Sequence, residues 1–330
     1  MCYNIAMKEY LLSYYTKFKC VAGECAHSCC RGWEMCIDEK TLNDYKNCAS
    51  SFAPTLKKGV NFKKGSFRAD KNGRCAFLNG ENLCEIIINL GEESLCQICR
   101  DHPRFRSCFD DRVETGLGFA CEEATRIILS YQEKIRAVPV SEGVSEDISE
   151  KGLPFIQAQL LKFRTQALDI IQDRSVNIND RLARLLALCN AQVTQGDHKK
   201  IINKYFSLER LEKSWGKRLK VLKGLKAPLV THVNEDLTLY CEQFLANGLY
   251  RFISEAEDVA YARAVALACV FSWWIINSVY QNERDKNSDF KSAFALICDI
   301  VREYSAEVEY SQKNQNKLFA FANGFVKYKI

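Results

Sequence analysis

The chain has 330 residues, of which 47% are hydrophobic and 26% are charged, a balance typical of a folded globular protein and not of a disordered or fibrous one. Its net charge of +5 comes from 46 basic and 41 acidic residues, which are too evenly balanced to create the concentrated positive field that nucleic-acid binding requires. We therefore expect no nucleic-acid partner.

The first 20 residues, MCYNIAMKEYLLSYYTKFKC, contain no apolar core followed by small residues. The sequence therefore predicts no secretory signal and a cytoplasmic location.

Cysteine is concentrated at the start of the chain. Of the 17 cysteines, 13 lie within residues 1–121. Without a secretory signal, and with an odd count, a disulfide framework is disfavoured. Thiolates suit soft metals such as zinc and iron–sulfur clusters, so the clustering predicts a metal module.

Four of the candidate ligands, Cys20, Cys25, Cys29 and Cys30, are closely spaced, and we call them the knot. The other candidates follow at wider spacing. Four thiolates are enough for one cubane, so the choice among the candidates stays open. The predicted ligands are Cys20, Cys25, Cys29, Cys30, Cys75, Cys84, Cys99 and Cys121. The remaining cysteines are interpreted as small hydrophobic residues, namely Cys2, Cys36, Cys48, Cys96, Cys108, Cys189, Cys241, Cys269 and Cys298.

Several standard motifs are absent from the sequence. A radical enzyme that uses S-adenosylmethionine would show C-x3-C-x2-C, but after Cys25 and Cys29 the third position is Gly32. The bacterial ferredoxin run, a zinc ribbon with two C-x2-C pairs, a G-x-G-x-x-G fingerprint and a P-loop are also missing. The one C-x2-C pair, Cys96 and Cys99, lacks the βαβ surroundings of a redox enzyme.

The first 121 residues predict a loop-rich region with little regular structure. Asp38 is placed to cap a short helix over residues 38–48, and Pro103 should interrupt any helix that enters from Glu92. Apolar spacings of three and four then predict a helix over residues 120–135. The polar stretch 139–152 reads as a linker.

The remaining chain predicts helices throughout, so the fold class is mainly α, with the metal module in residues 1–138 and a helical domain in 153–330. Asn179 and Asp180 should cap the second helix and Gly196 should end it. The apolar stretch Ala264 to Tyr280 is shorter than the ~20 residues of a membrane span, so we interpret it as a buried core helix. The predicted helices are 154–173, 179–195, 207–224, 235–254, 257–281, 289–306 and 313–326.

The cysteine-rich part resembles the flagellin lysine N-methylase family. The resemblance is dense over residues 15–125 and thinner in Tyr240–Phe252. It is carried by Phe18-Lys19-Cys20, Cys25-x3-Cys29-Cys30-x-Gly32-Trp33, Ile37-Asp38, Tyr45, Cys75-x-Phe77-Leu78, Cys84-x-Ile86, Leu90-Gly91, Cys99-x2-His102-Pro103-Arg104 and Cys121.

This resemblance implies methylation of flagellin lysines, with S-adenosylmethionine as the methyl donor and a cysteine-bound [4Fe-4S] cluster. Zinc is the alternative metal. The competing hypothesis is a non-enzymatic adaptor whose metal, zinc or iron–sulfur, serves only to fold a loop-rich region.

Methyl transfer requires a neutral lysine amine, although the pKa of lysine lies near ~10.4. The site must therefore desolvate the amine or supply a base. The candidate catalytic residues near the knot are Trp33, Asp38, Tyr45 and Arg104, with Tyr14, Tyr15 and Glu34 as further possibilities. Trp33 and Tyr45 could equally be core residues, Asp38 a helix cap and Arg104 a counter-ion for an anionic cluster. The sequence does not assign the residues that bind S-adenosylmethionine.

Overall fold

The computed structural model describes residues 7–141, 151–211, 213–284 and 290–327. Within them the chain is mainly α-helical, which confirms the mainly α part of the predicted fold class. The helices are α1 (Glu39–Lys46), α2 (Ala53–Gly59), α3 (Glu85–Leu90), α4 (Gln97–Asp101), α5 (Glu122–Leu129), α6 (Phe155–Ile171), α7 (Ile178–Leu188), α8 (His198–Phe206), α9 (Lys213–Gly224), α10 (Thr238–Phe252), α11 (Val259–Arg284), α12 (Phe290–Val308) and α13 (Gln312–Asn323). The strands are β1 (Lys8–Leu12), β2 (Val60–Asn61), β3 (Ser66–Phe67), β4 (Arg104–Phe109), β5 (Arg112–Leu117) and β6 (Ala137–Pro139).

The chain forms two compact units. We call Lys19–Arg104 together with Cys121–Glu123 the cysteine unit, and the rest of the described chain the helical unit. The predicted boundaries at 138 and 153 stay a prediction, because most of the predicted linker lies in residues 142–150, outside the described residues.

The cysteine unit contains short helices and a small aromatic core. Phe67 and Phe77 meet edge to face with ring centroids 5.2 Å apart, and Tyr45 lies 6.2 Å from Phe67. Gly59 packs against the Phe77 ring so closely that a Cβ there would lie 2.4 Å from it. Loops surround this core, as the turn-rich sequence predicts.

The helical unit contains a four-stranded sheet with the order β4-β5-β1-β6. β1 runs parallel to β5, with Lys8 opposite Arg112, and antiparallel to β6, with Leu12 opposite Ala137. The sequence did not predict this sheet, because its strands are only three to six residues long and give little alternation to detect.

The long helix α11 forms the centre of the helical unit and packs against α10, α12 and α13. Every residue from Ala264 to Tyr280 is buried, which confirms the predicted core helix. Among the described residues, α11 is the one helix whose length and composition would allow it to cross a membrane, and 78% of its most apolar stretch is buried within the fold.

Some predicted helix boundaries are wrong. The second predicted helix ends at Leu188, not at Gly196, because the chain turns at Asn190 with a left-handed φ of 52°. Its cap is Asn177, whose side chain accepts from the Asp180 N–H, two residues before the predicted cap at Asn179. A separate helix, α8, follows where the sequence predicted none. The helix predicted over 120–135 is the shorter α5.

Candidate metal centre

All eight predicted ligands lie in the cysteine unit. Seven belong to Lys19–Arg104, and Cys121 joins them through the short segment Cys121–Glu123. Cys108 and the four later cysteines belong to the helical unit, where Cys189, Cys241 and Cys269 are buried as small hydrophobic residues. Cys2 lies outside the described residues.

The predicted ligands share one compact unit. Within the described ranges, no three Cys, His, Asp or Glu side chains form a group that could hold a metal ion. The donor set fits a soft metal by its chemistry, since it consists of thiols in one compact unit. Metal binding would require these thiols to lose their protons and move together around the ion.

Cys30 is fixed beside Cys75 by the backbone. The Cys75 N–H donates to the Cys30 carbonyl at 2.9 Å, and the Gly32 N–H donates to the Gly73 carbonyl at 3.0 Å. Gly32 has a φ of 91° and Gly73 a φ of 75°, a left-handed region that strongly favours glycine. These two glycines therefore permit the close approach that brings a knot cysteine to a cysteine 45 positions later in the chain.

The neighbouring thiols of Cys29 and Cys30 share a hydrogen bond. This bond, with help from the Ser28 hydroxyl and the Arg74 guanidinium, lowers the pKa of Cys30 to about 7 despite its partial burial. The same bond raises the pKa of Cys29. A thiol with a lowered pKa offers a thiolate to a metal at neutral pH.

A second thiol pair lies at the start of α4. Cys96 is the N-cap residue of this helix and is fully buried. The hydrogen bond from the Cys99 thiol lowers the pKa of Cys96 and raises that of Cys99. Cys96 therefore lies among the predicted ligands, although the sequence analysis interpreted it as a small hydrophobic residue.

His27 and Glu122 form a link that the sequence analysis missed. Glu122 Oε2 accepts from the His27 backbone N–H at 3.0 Å and lies 3.2 Å from His27 Nδ1. His27 lies between Cys25 and Cys29, and Glu122 follows Cys121 directly. This position next to predicted ligands was the available signal, but a separation of 95 residues hid the pairing.

Asp38 caps its helix, as the sequence predicted, and also reaches a second one. Oδ1 accepts from the Thr41 N–H at 3.0 Å, while Oδ2 accepts from the Gln97 N–H at the start of α4 at 2.8 Å. Burial opposes ionisation, but these N–H donors hold the pKa of Asp38 below its ordinary value.

Tyr45 is a core residue beside the thiols. It is 3% exposed, and its hydroxyl donates to the Ser94 carbonyl at 2.6 Å. Burial raises the pKa of Tyr45, and so do the thiols of Cys96 and Cys99.

Trp33 and Arg104 are only partly buried. The Trp33 indole N–H donates to the Cys29 carbonyl at 2.8 Å, which holds the ring against the knot. Arg104 Nη1 donates to the Arg100 carbonyl at 2.8 Å, close to the C-terminal end of α4.

The three further catalytic candidates, Glu34, Tyr14 and Tyr15, do not all lie in the same unit. Glu34 is exposed and accepts a hydrogen bond from the Ser66 hydroxyl at 3.3 Å. Tyr14 and Tyr15 belong to the helical unit, where the Tyr14 hydroxyl contacts Asn247 Oδ1 and accepts from the Leu117 N–H.

The resembling segment Tyr240–Phe252 consists largely of structural anchors in α10. Glu242 pairs with Arg174 and Arg181, each with an N–O distance of 2.7 Å. Asn247 donates to the Leu117 carbonyl at 3.1 Å, and Arg251 pairs with Glu309 at 3.1 Å. These polar residues explain the pattern through internal contacts of the helical unit.

The chain is similar to known lysine-N-methylases over part of its length. It is 29% identical over 136 residues to the lysine-N-methylase of Salmonella typhimurium. The matched part covers 38% of this chain and 34% of that protein. The lysine-N-methylase of Salmonella choleraesuis gives the same figures. A protein of Salmonella muenchen named flagellar biosynthetic protein FliU is 29% identical over 136 residues and is covered over 80% of its length.

The chain thus spans about a third of the length of the lysine-N-methylases that it matches. This similarity supports the family resemblance seen in the cysteine-rich residues. No protein-family model matches the chain, and no solved structure does.

Proposed function

We propose that the chain is a protein-lysine N-methyltransferase that acts on flagellin in the cytoplasm, with S-adenosylmethionine as the methyl donor and a thiolate-bound [4Fe-4S] cluster. The observation that carries the proposal is the similarity over 136 residues to proteins named lysine-N-methylase. The flagellar substrate is supported by the similarity to a protein named FliU. The donor and the cluster rest on the family resemblance and on the chemistry of the thiols.

Four of the eight predicted cysteines would hold the cluster. A bound cluster would supply iron that takes the amino and carboxylate groups of the methyl donor, or it would serve only as structural support. The lowered pKa of Cys30 favours its thiolate form near neutral pH, as metal ligation requires.

Two of the candidate catalytic residues are poor proton acceptors for a lysine amine. Asp38 has a lowered pKa and both of its oxygens accept backbone N–H donors. Tyr45 is buried, and its raised pKa keeps the phenol protonated. Because a general base works best with a pKa near the working pH, we assign both residues to holding the cysteine unit together.

Trp33 and Arg104 are better suited to positioning the reactants. The face of an indole ring attracts cations such as a sulfonium or an ammonium, and the ring of Trp33 is fixed by its bond to Cys29. Arg104 offers a cation that can bind a carboxylate. These two residues would orient the donor and the lysine for in-line transfer.

The test is methylation by the full chain after anaerobic reconstitution with iron and sulfide. Purified flagellin and methyl-labelled S-adenosylmethionine are added, and labelled lysines are identified by mass spectrometry. We expect methyl-lysine on flagellin that is absent when either the chain or the donor is omitted.

The adaptor hypothesis predicts a different outcome. A chain that binds metal and flagellin but transfers no methyl group would be a metal-stabilised binding protein, and the enzyme proposal would fail. A colourless chain that contains zinc and no iron would exclude the [4Fe-4S] cluster.

A further inference from the structure

One part of the cysteine unit concentrates positive charge. Residues 45–69 contain six basic residues and no acidic one, although the charges of the whole chain are nearly balanced. Five of the six lie on α2, on the hairpin formed by β2 and β3, or directly after it, and all five side chains are exposed. We call these five side chains the basic surface: Lys57, Lys58, Lys63, Lys64 and Arg68.

Backbone hydrogen bonds hold the basic surface in place. β2 and β3 form an antiparallel pair, and the Lys64 N–H donates to the Asn61 carbonyl at 3.1 Å within the turn that joins them. The Arg68 N–H donates to the Gly59 carbonyl at 2.8 Å. Arg68 therefore lies beside the last turn of α2, which carries both of its lysines.

The cations of the basic surface have no carboxylate partners in the fold. None of the five forms an ion pair with another described residue. Neighbouring like charges repel one another, and only solvent and salt weaken this repulsion here. Carboxylates on a bound partner would neutralise these charges.

The side chains around these cations decide between kinds of anionic partner. Phe52 and Phe67 are each 7% exposed, and Phe62 packs against the same apolar cluster, so these rings are not open for nucleic-acid bases to stack on. No large hydrophobic side chain of residues 45–69 is exposed, so this surface offers no apolar anchor for a lipid bilayer. Charge is what remains for recognition, which fits an acidic segment of a protein.

We propose that the basic surface is a docking site for an acidic segment of the protein substrate. Its charge draws the segment to the cysteine unit and raises the rate of encounter. Only the identity of the partner as the substrate rests on the proposed function, because binding of an acidic segment requires no methyl transfer.

The first experiment measures binding of a fluorescein-labelled, glutamate-rich peptide to the full chain by fluorescence anisotropy. Glutamine replaces lysine because it removes the charge and keeps a long polar side chain. The surface variant combines Lys57→Gln, Lys58→Gln, Lys63→Gln and Lys64→Gln. The matched control removes four exposed lysines of the helical unit, namely Lys213→Gln, Lys217→Gln, Lys220→Gln and Lys226→Gln. Circular dichroism checks that both variants are folded.

The surface variant should bind the peptide roughly tenfold or more weakly at low salt, since it loses four attractive charges. The control variant has the same net charge and should bind nearly as tightly as the unmodified chain. Added salt should reduce the difference, because exposed charges are screened. Equal losses in the two variants would assign the binding to net charge alone and overturn the proposal, as would a peptide that does not bind the unmodified chain.

Two further probes test the kind of partner. A single-stranded DNA with the same number of charges as the peptide, and vesicles that contain phosphatidylserine, should both bind the unmodified chain more weakly than the peptide does. Tighter binding of either probe would overturn the choice of a protein partner.

Kinetics with purified flagellin test whether the bound partner is the substrate. Docking away from the reacting atoms stabilises the bound substrate and the transition state equally. The surface variant should therefore have a raised KM for flagellin and an unchanged kcat. An unchanged KM would overturn the docking proposal and leave the proposed function intact. Peptide binding that depends on the basic surface, in a chain that transfers no methyl group, would refute the proposed function alone.

Discussion

The carboxylate of Asp38 accepts the backbone N–H of Gln97 at 2.8 Å and so joins the starts of α1 and α4. Loss of an N-cap side chain costs about 0.5–2 kcal/mol. Because Asp38 serves two helix starts, Asp38→Ala should lower the free energy of unfolding by about 1–3 kcal/mol. Urea titration of the full chain measures this loss. Asp38→Asn, which keeps an acceptor oxygen, is the matched control and should lose less.

The Asp38 carboxylate should also make the free energy of unfolding depend on pH. Since the folded-state pKa of Asp38 is lowered, its contribution to stability is fully present above the ordinary aspartate value of about 3.9. The contribution should disappear as the pH falls through the lower folded-state pKa. The difference in unfolding free energy between the unmodified chain and Asp38→Asn should therefore shrink as the pH falls below about 4. A difference that stays constant there would contradict this role.

The sequence could predict only those features that depend on residues close together in the chain. A capping aspartate ahead of an amphipathic segment revealed α1, and Pro103 correctly indicated that α4 could not continue, because both signals act within one turn of the chain. The end of α7 was missed because Asn190 adopts a left-handed conformation that glycine usually provides. The second bond of Asp38, to Gln97, joins residues 59 positions apart and leaves no local signal.

In the candidate metal centre too, the sequence could not predict contacts between distant segments. The eight candidate ligands were predicted from the cysteine-rich pattern, and all of them lie in the cysteine unit. The contacts that bring its segments together, His27 with Glu122 and Cys75 with Cys30, join distant parts of the chain. Cys96 was interpreted as a small hydrophobic residue because free cysteine is often buried, and it is both fully buried and hydrogen-bonded to Cys99.

A buried ion pair in the helical unit leads to a third prediction. Arg164 donates to both oxygens of Glu114 at 2.7 Å, and each side chain is 1% exposed. Removing one partner leaves the other charge buried and uncompensated, which costs about 3–5 kcal/mol. Arg164→Met should therefore destabilise the fold by about this amount in urea titrations.

The double variant Glu114→Leu with Arg164→Met serves as the control for this pair. It removes both charges and fills the space with apolar atoms, so it should be more stable than Arg164→Met alone. If the single and double variants are equally unstable, the loss comes from packing and not from the uncompensated carboxylate.

Glu242 should matter more than either of its arginines. It is 1% exposed, as against 4% for Arg181 and 39% for Arg174. Glu242→Ala leaves Arg181 buried without its carboxylate and should cost about 3–5 kcal/mol. Arg174→Ala leaves that inner pair intact and should cost about 1 kcal/mol or less. Thermal unfolding of the two variants side by side tests the order, and equal losses would contradict it.

Trp33 provides a test of how the methyl donor is bound. If the indole face attracts the sulfonium, Trp33→Ala removes a cation–π contact of about 0.5–2 kcal/mol. The dissociation constant of S-adenosylmethionine should then rise by about two- to thirtyfold. Trp33→Phe keeps an aromatic face and loses only the N–H that bonds to Cys29, so it should bind the donor with an intermediate affinity.

Calorimetric titration of the metal-loaded variants separates the two roles of this ring. Metal content is measured in the same samples, because the bond that is lost holds Cys29, which is a predicted metal ligand. Weaker donor binding at unchanged metal content supports Trp33 as a donor-binding residue. Donor affinity that is unchanged in Trp33→Ala would assign the ring to the core of the cysteine unit instead.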